Sequence, residues 1–237
     1  MKDQKCGCNH CHGRLCVQRV SIFAALDQTE LERVAGLITH KQCRKGELVI
    51  MAGQSNENLI IINRGKVKAY RNTRDGREQV LYIFSVGDFF GETNLLRNRE
   101  ANYSVEALED TGLCLIGKKD FRQLIRYYPE IGLKIMTELC IRLEGLENIL
   151  QNIGTNNVEL RVNAVLLEFA DKFGRNHPRG IIIELPLSRE GIANYIGLAR
   201  ETVSRKLNLL QDEGVIEMEG NKRIIILDKK VLEHSIE

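Results

Sequence analysis

Four cysteines crowd into the start of the chain, at Cys6, Cys8, Cys11 and Cys16, while Cys43, Cys114 and Cys140 are scattered. In a reducing compartment, clustered thiols serve metal or redox chemistry more often than they staple a fold. Four thiolates suit an iron–sulfur cluster. They also suit zinc, for which His10 and His12 lie inside the run as further donors. A thiol–disulfide switch without metal is a third reading. Two trios are regularly spaced, Cys8-x2-Cys11-x4-Cys16 and Cys6-x4-Cys11-x4-Cys16, so Cys6 stands as a substitute for Cys8. Cys43 and Cys140 read most simply as packing residues, and His40 as an ordinary polar one.

A second constellation lies near the other end. Glu201, Ser204 and Arg205 recur at i, i+3 and i+4, so they project together from a helix, with Arg200 one turn before Ser204. Arg can grip guanine with two hydrogen bonds, Glu can accept from a cytosine amino group, and Ser can serve either role. Lys206, Arg189, Lys222 and Arg223 are candidate phosphate contacts, which position a protein on DNA without specifying sequence.

These residues need a scaffold, and its parts are written around them. Ser188 is placed to cap a first helix that buries Ile192, Ala193 and Ile196. Gly197 supplies a tight turn, and Val203, Leu207 and Leu210 give a second helix its apolar face, which is the pattern of a helix-turn-helix. A helix over Val158–Phe173 and a strand over Ile181–Leu185 precede it. Val215–Met218 and Arg223–Leu227 follow, around the turn Glu219-Gly220-Asn221-Lys222, as a β-wing. In the first half, glycines at 46, 53, 65, 76, 87 and 91 separate short β-rich runs, among them Leu59–Ile62, Val67–Tyr70 and Val80–Phe84, and Asp75-Gly76 is a hairpin-turn signal. Many short strands with glycine turns predict a sandwich, barrel or jelly roll. Residues 21–40 read as helical, with Asp27 as cap and Glu30 three residues on. Residues 118–153 return to helical period, and Ile135, Leu139, Leu143, Leu146, Leu150 and Ile153 alternate spacings of four and three, the seam of a dimerising helix.

The expected architecture is therefore α+β in four parts: a cysteine-rich leader (1–20), a sensor β-roll (21–117), a dimerisation helix region (118–153) and a winged helix-turn-helix domain (154–237). The formal net charge is only +2, so DNA affinity has to come from local charge placement. No apolar run approaches the roughly 18 residues of a membrane helix, and the N-terminus lacks the apolar stretch of a signal peptide. The expected location is the cytoplasm. Nucleophile–base motifs, a P-loop and a glycine-rich dinucleotide fingerprint are all missing, so an enzyme is not expected.

Arg200-Glu201-Thr202-Val203-Ser204-Arg205 resembles the recognition helix of the Crp/Fnr family of transcriptional regulators, and the likeness extends over nearly the whole chain: a cyclic-nucleotide-binding-like β-roll, a long dimer helix and a winged C-terminal domain. The resemblance implies a homodimer that binds double-stranded DNA and touches RNA polymerase through surface patches, the turn Arg74-Asp75-Gly76-Arg77 being one candidate. The spacing Glu201-x-x-Ser204-Arg205 is similar to the FNR branch, with an implied inverted repeat near TTGAT…ATCAA. Arg200, Glu201 and Arg205 also satisfy the cyclic-AMP receptor branch, for which a TGTGA-like half-site is the alternative. Gly91-Glu92 matches the family's ribose-holding element, but Ala101-Asn102 stands where an Arg-Ser pair would hold a cyclic phosphate, which disfavours cyclic AMP. Cys8, Cys11 and Cys16 resemble the N-terminal triad of FNR-type sensors, and Cys114 matches their distant fourth cysteine. The resemblance thus implies an oxygen-labile [4Fe–4S] cluster that controls genes of anaerobic metabolism; a small effector, zinc or a thiol–disulfide switch are the alternative signals.

Overall fold

A computed structural model describes residues 16–74, 76–97, 99–154 and 157–235. Cys6, Cys8, Cys11, His10, His12 and Asp75 lie outside the described residues.

Two short 3-10 turns, Cys16–Arg19 and Ser21–Phe23, lead into α1 (Gln28–Gly36). Asp27 closes a capping box on α1, accepting from the Glu30 amide at 2.8 Å while Glu30 accepts from the Asp27 amide at 2.9 Å. The helix expected over 21–40 ends earlier than anticipated, because the chain passes directly into β1 (Ile38–Cys43). There follow β2 (Leu48–Ile50), β3 (Asn58–Arg64), β4 (Val67–Asn72), β5 (Glu78–Phe84), β6 (Phe89–Phe90), α2 (Glu92–Arg97), β7 (Ser104–Ala107) and β8 (Thr111–Gly117).

The eight strands form two antiparallel four-stranded sheets, ordered β1-β8-β3-β6 and β2-β7-β4-β5. Period-two alternation sorts their side chains. Ile60, Ile62, Phe90 and Leu113 of the first sheet meet Val67, Ala69, Phe84, Val105 and Ala107 of the second in one buried cluster. Leu59, Ile61, Phe89, Cys114 and Ile116 point the other way, into a second cluster with Val17, Val20, Ile22 and Phe23 of the 3-10 turns and with the helices. β3 is buried on both faces, which is why its run of apolar residues is unbroken.

α3 (Lys118–Tyr127) and α4 (Pro129–Gly154) come next. The single helical stretch expected over 118–153 is split at Tyr128, since the residue before a proline is steered out of the α region. The seam read along α4 is corrected in its first half. Ile135 is buried in the helical cluster of its own domain and Leu139 packs partly against it. Leu143 of the expected seam is exposed, and the other exposed apolar residues among the described part of α4 are Leu133, Met136 and Ile141, with Cys140 exposed among them. The side chains of Leu150 and Ile153 lie outside the described set.

The C-terminal part comprises α5 (Val158–Phe173), β9 (Gly174–His177), β10 (Gly180–Glu184), α6 (Arg189–Ile196), α7 (Arg200–Asp212), β11 (Ile216–Glu219), β12 (Arg223–Ile226) and α8 (Lys229–His234). Its four strands pair antiparallel in the order β11-β12-β10-β9. One compact unit contains the chain up to Arg71 together with Leu81–Arg142; the other contains Asn72–Val80 and Leu143 onward.

Candidate nucleic-acid interface and cysteine centre

α6 and α7 are built as their residues dictate. The Ser188 hydroxyl accepts from the Gly191 amide at 3.1 Å, capping α6. Gly197 ends it in the left-handed conformation at φ 68°, where a side chain is disfavoured. Val203, Leu207 and Leu210 seat α7 on the domain core. Arg200, Glu201 and Arg205 are exposed on the opposite side and Ser204 is half-buried between them. They line an open groove of about 1440 Å³ that also takes in Asn157 and Glu159 at the start of α5.

The other cations sit differently. Lys206 is 8% exposed and ion-paired to Glu159 at 2.9 Å. Arg189 is half-buried, with a guanidinium nitrogen 3.2 Å from the Met218 sulfur on the wing. Arg223 is exposed and pairs with Glu184 at 3.3 Å, and Lys222 is exposed in the wing turn. Glu201, Ser204 and Arg205 are thus brought together on one groove, whereas Lys206 lies on the packed side of its helix.

In the β-roll, Gly91 adopts φ +90°, and a Cβ there would lie 2.5 Å from the Asn58 carbonyl, so the glycine keeps a tight turn. The neighbouring Glu92 is 1% exposed. Its Oε1 accepts from Arg142 at 3.0 Å, and Arg142 also donates to the Phe89 carbonyl at 2.7 Å. The guanidinium lies 4.8 Å from the Phe89 ring centroid and 5.1 Å from that of Phe84, while Glu92 Oε2 has no partner. Burial pushes the Glu92 carboxyl above its usual range, and Arg142 opposes that shift. Ala101 is buried and Asn102 exposed, so neither offers the phosphate-holding cation of a cyclic-nucleotide site. Arg142 is a cation within the roll that its own sequence surroundings do not announce, and it is already committed to Glu92.

Cys114 is fully buried on β8, facing the helical cluster. Its sulfur lies 3.5 Å from Nδ1 of His40, its cross-strand partner on β1. Cys43 is buried and Cys140 exposed; burial raises the Cys43 thiol. Among the described residues no three metal-ligating side chains converge. Cys16 opens the first 3-10 turn, and its neighbour Val17 packs in the same buried cluster as Cys114.

A β-roll followed by a long helix and a winged helix-turn-helix defines a DNA-binding transcriptional regulator. The cyclic nucleotide-binding domain family matches residues 40–128, and the Crp-like helix-turn-helix domain family matches residues 160–235. The chain is 30% identical over 218 residues to the "Probable transcriptional regulator flp" of Lacticaseibacillus casei, covering 92% of this chain and 96% of that one. It is 32% identical over 189 residues to the cAMP-activated global transcriptional regulator CRP of Pasteurella multocida, covering 79% and 88%. A CooA variant from Carboxydothermus hydrogenoformans shares the fold, with a TM-score of 0.75 at 23% identity over 86% of this chain and 90% of that one. The protein belongs to the Crp/Fnr family of transcriptional regulators. These relatives are regulators, and neither matched family is catalytic. No helix among the described residues is long and apolar enough to cross a membrane.

Proposed function

We propose that this regulator is a cytoplasmic homodimer that reads an inverted repeat with TTGAT-like half-sites through Glu201, Ser204 and Arg205, with Arg200 at the edge of the reading face. The observation that carries this reading is the exposure of Glu201 and Arg205 on one side of α7 while Val203, Leu207 and Leu210 hold the other in the core. Arg189, Lys222 and Arg223 are the candidate phosphate contacts, and contact with RNA polymerase is part of the same reading.

The signal we propose is oxygen or redox state, sensed by a [4Fe–4S] cluster held by Cys8, Cys11, Cys16 and Cys114, with Cys6 as substitute for Cys8. The donor chemistry suits the group, since thiolates are the ligands iron–sulfur clusters take. Val17, near the end of the cysteine-rich leader, belongs to the same buried cluster as Cys114, which supports it. The cluster would supply a centre whose breakdown in air is relayed to the dimer. Glu92 is already committed to Arg142, and Ala101 and Asn102 offer no cation to a cyclic phosphate, which speaks against cyclic AMP as the signal. Protein purified without air and analysed for iron, sulfide and zinc tests this. Absorption near roughly 400 nm that bleaches in air is the expected result for four-thiolate cluster ligation. Colourless anaerobic protein with stoichiometric zinc would overturn the iron–sulfur assignment.

A further inference from the structure

Lys206 stands among the basic residues of the reading helix, yet its placement is unlike theirs. At roughly 3.6 residues per turn it lies about 140° around α7 from Glu201 and only about 40° from Leu210. Its side chain is 9% exposed and its ammonium meets Glu159 Oε1 at 2.9 Å. A long, flexible, strongly hydrated side chain is driven into such a place only when a fixed partner compensates its desolvation.

Glu159 is such a partner. It lies in the first turn of α5, where the Asn157 side chain accepts from the amides of Glu159 and Leu160 at 3.0 and 3.3 Å. α5 is also the helix to which the rest of the domain is tied. Tyr195 of α6 donates to Glu168 at 2.7 Å and stacks on Phe169, and Asn163 donates to Ser235 at 2.7 Å. The Lys206–Glu159 pair is therefore the polar link that joins the capped start of α5 to the middle of α7, one residue from Arg205. Glu159 is 52% exposed on the groove that Arg205 and Glu201 also line.

We infer that Lys206 is a positioning residue for sequence reading rather than a phosphate contact: its ion pair with Glu159 sets the rotation and height of α7, and with them the aim of Arg205 and Ser204. The inference rests on the DNA-reading assignment above. Phosphate contacts and positioning contacts leave different signatures. A lysine that neutralises a phosphate adds about 0.9 to the slope of log affinity against log salt, for any DNA sequence. A positioning lysine leaves that slope alone and alters only the preference for the correct sequence.

The test uses the full-length protein, prepared anaerobically. It compares an operator that the wild-type protein selects from random duplexes with a scrambled duplex, across a salt series. Lys206→Met is expected to weaken operator binding about ten-fold, with scrambled-duplex binding and both salt slopes unchanged. Glu159→Gln, a substitution at a half-exposed site, guards against a folding defect in the first variant. It is expected to lower discrimination in the same direction, and the double variant to lose less than the two single losses combined. A phosphate-contacting Lys206 predicts the opposite for Glu159→Gln: freed from its partner, the lysine would tighten binding to both duplexes. Uniform weakening with a reduced slope in Lys206→Met, tighter uniform binding in Glu159→Gln, or unchanged discrimination in both would overturn the inference. A wild-type protein that selects no operator would remove the DNA-reading assignment itself, and the inference with it.

Discussion

A carboxylate at 1% exposure needs compensation, and Glu92 finds it in an arginine 50 residues away. Removing one member of a buried pair leaves the other charged and unsolvated. Arg142→Met is expected to destabilise the sensor unit by about 3 kcal/mol, read from denaturant unfolding. Adding Glu92→Gln should recover most of that loss, because neither side chain then carries an uncompensated charge. A loss in the double variant as large as in the single one would show that Arg142 acts through packing on Phe84 and Phe89 alone. Gly197 makes a smaller, cleaner case. A Cβ there meets nothing within 4 Å, so Gly197→Ala costs only the left-handed backbone, about 1 kcal/mol. The two positions also explain what the sequence makes legible. Ser188, Gly197 and the Val203–Leu207–Leu210 face act within a few residues of themselves, and the helix-turn-helix is readable from them. Arg142 and Lys206 have partners 50 and 47 positions distant. Nothing in the flanking residues distinguishes them from ordinary solvated cations.

At the scale of elements, α5 packs on both α6 and α7, and its contact with α6 is expected to depend on pH. Glu168 is an exposed residue of α5 whose carboxyl accepts from Tyr195, and desolvation there pushes that carboxyl above the ordinary value of 4.5, with the tyrosine hydrogen bond opposing. A raised carboxyl pKa means that the folded state resists ionisation. Its contribution to stability is therefore full below pH 4.5 and is lost as the pH rises through the folded-state value. Glu168→Gln keeps an oxygen for the tyrosine and removes the titration. The variant is expected to match the wild type in acid and to become the more stable of the two as pH rises, the gap levelling off once Glu168 is ionised; unfolding measured across a pH series reads it. A constant difference at all pH values would mean that Glu168 does not titrate in that range. α4 shows how an element can be readable while its facing is not. Its length and apolar period are plain in the sequence, but period alone does not say which apolar stripe serves the chain's own core. Ile131 and Ile135 pack beneath β3 and β8, which turns Leu133, Met136 and Leu143 outward.

For the whole molecule, we propose that outward stripe as the dimerisation surface. Leu133, Met136, Cys140 and Leu143 are spaced three, four and three apart, and the three large apolar members are more than half exposed, at 62, 55 and 56%. A two-stranded seam about a two-fold axis brings each such residue against its own copy. Met136→Glu with Leu143→Glu would set like charges face to face across that axis while leaving Ile131 and Ile135 in their own core. The expected result is a folded monomer by sedimentation, with unchanged circular dichroism. Operator affinity should collapse toward that of a single half-site, since the second reading helix no longer arrives already tethered. The wild-type dimer, in turn, should require half-sites about one helical turn apart, 10–10.5 base pairs centre to centre, and lose the operator when roughly five base pairs are inserted between them. If the doubly substituted protein remained dimeric, the seam would belong further along α4. If it became monomeric yet bound the operator as tightly as before, each winged domain would be reading DNA alone, and the signal could not act on DNA binding through the dimer.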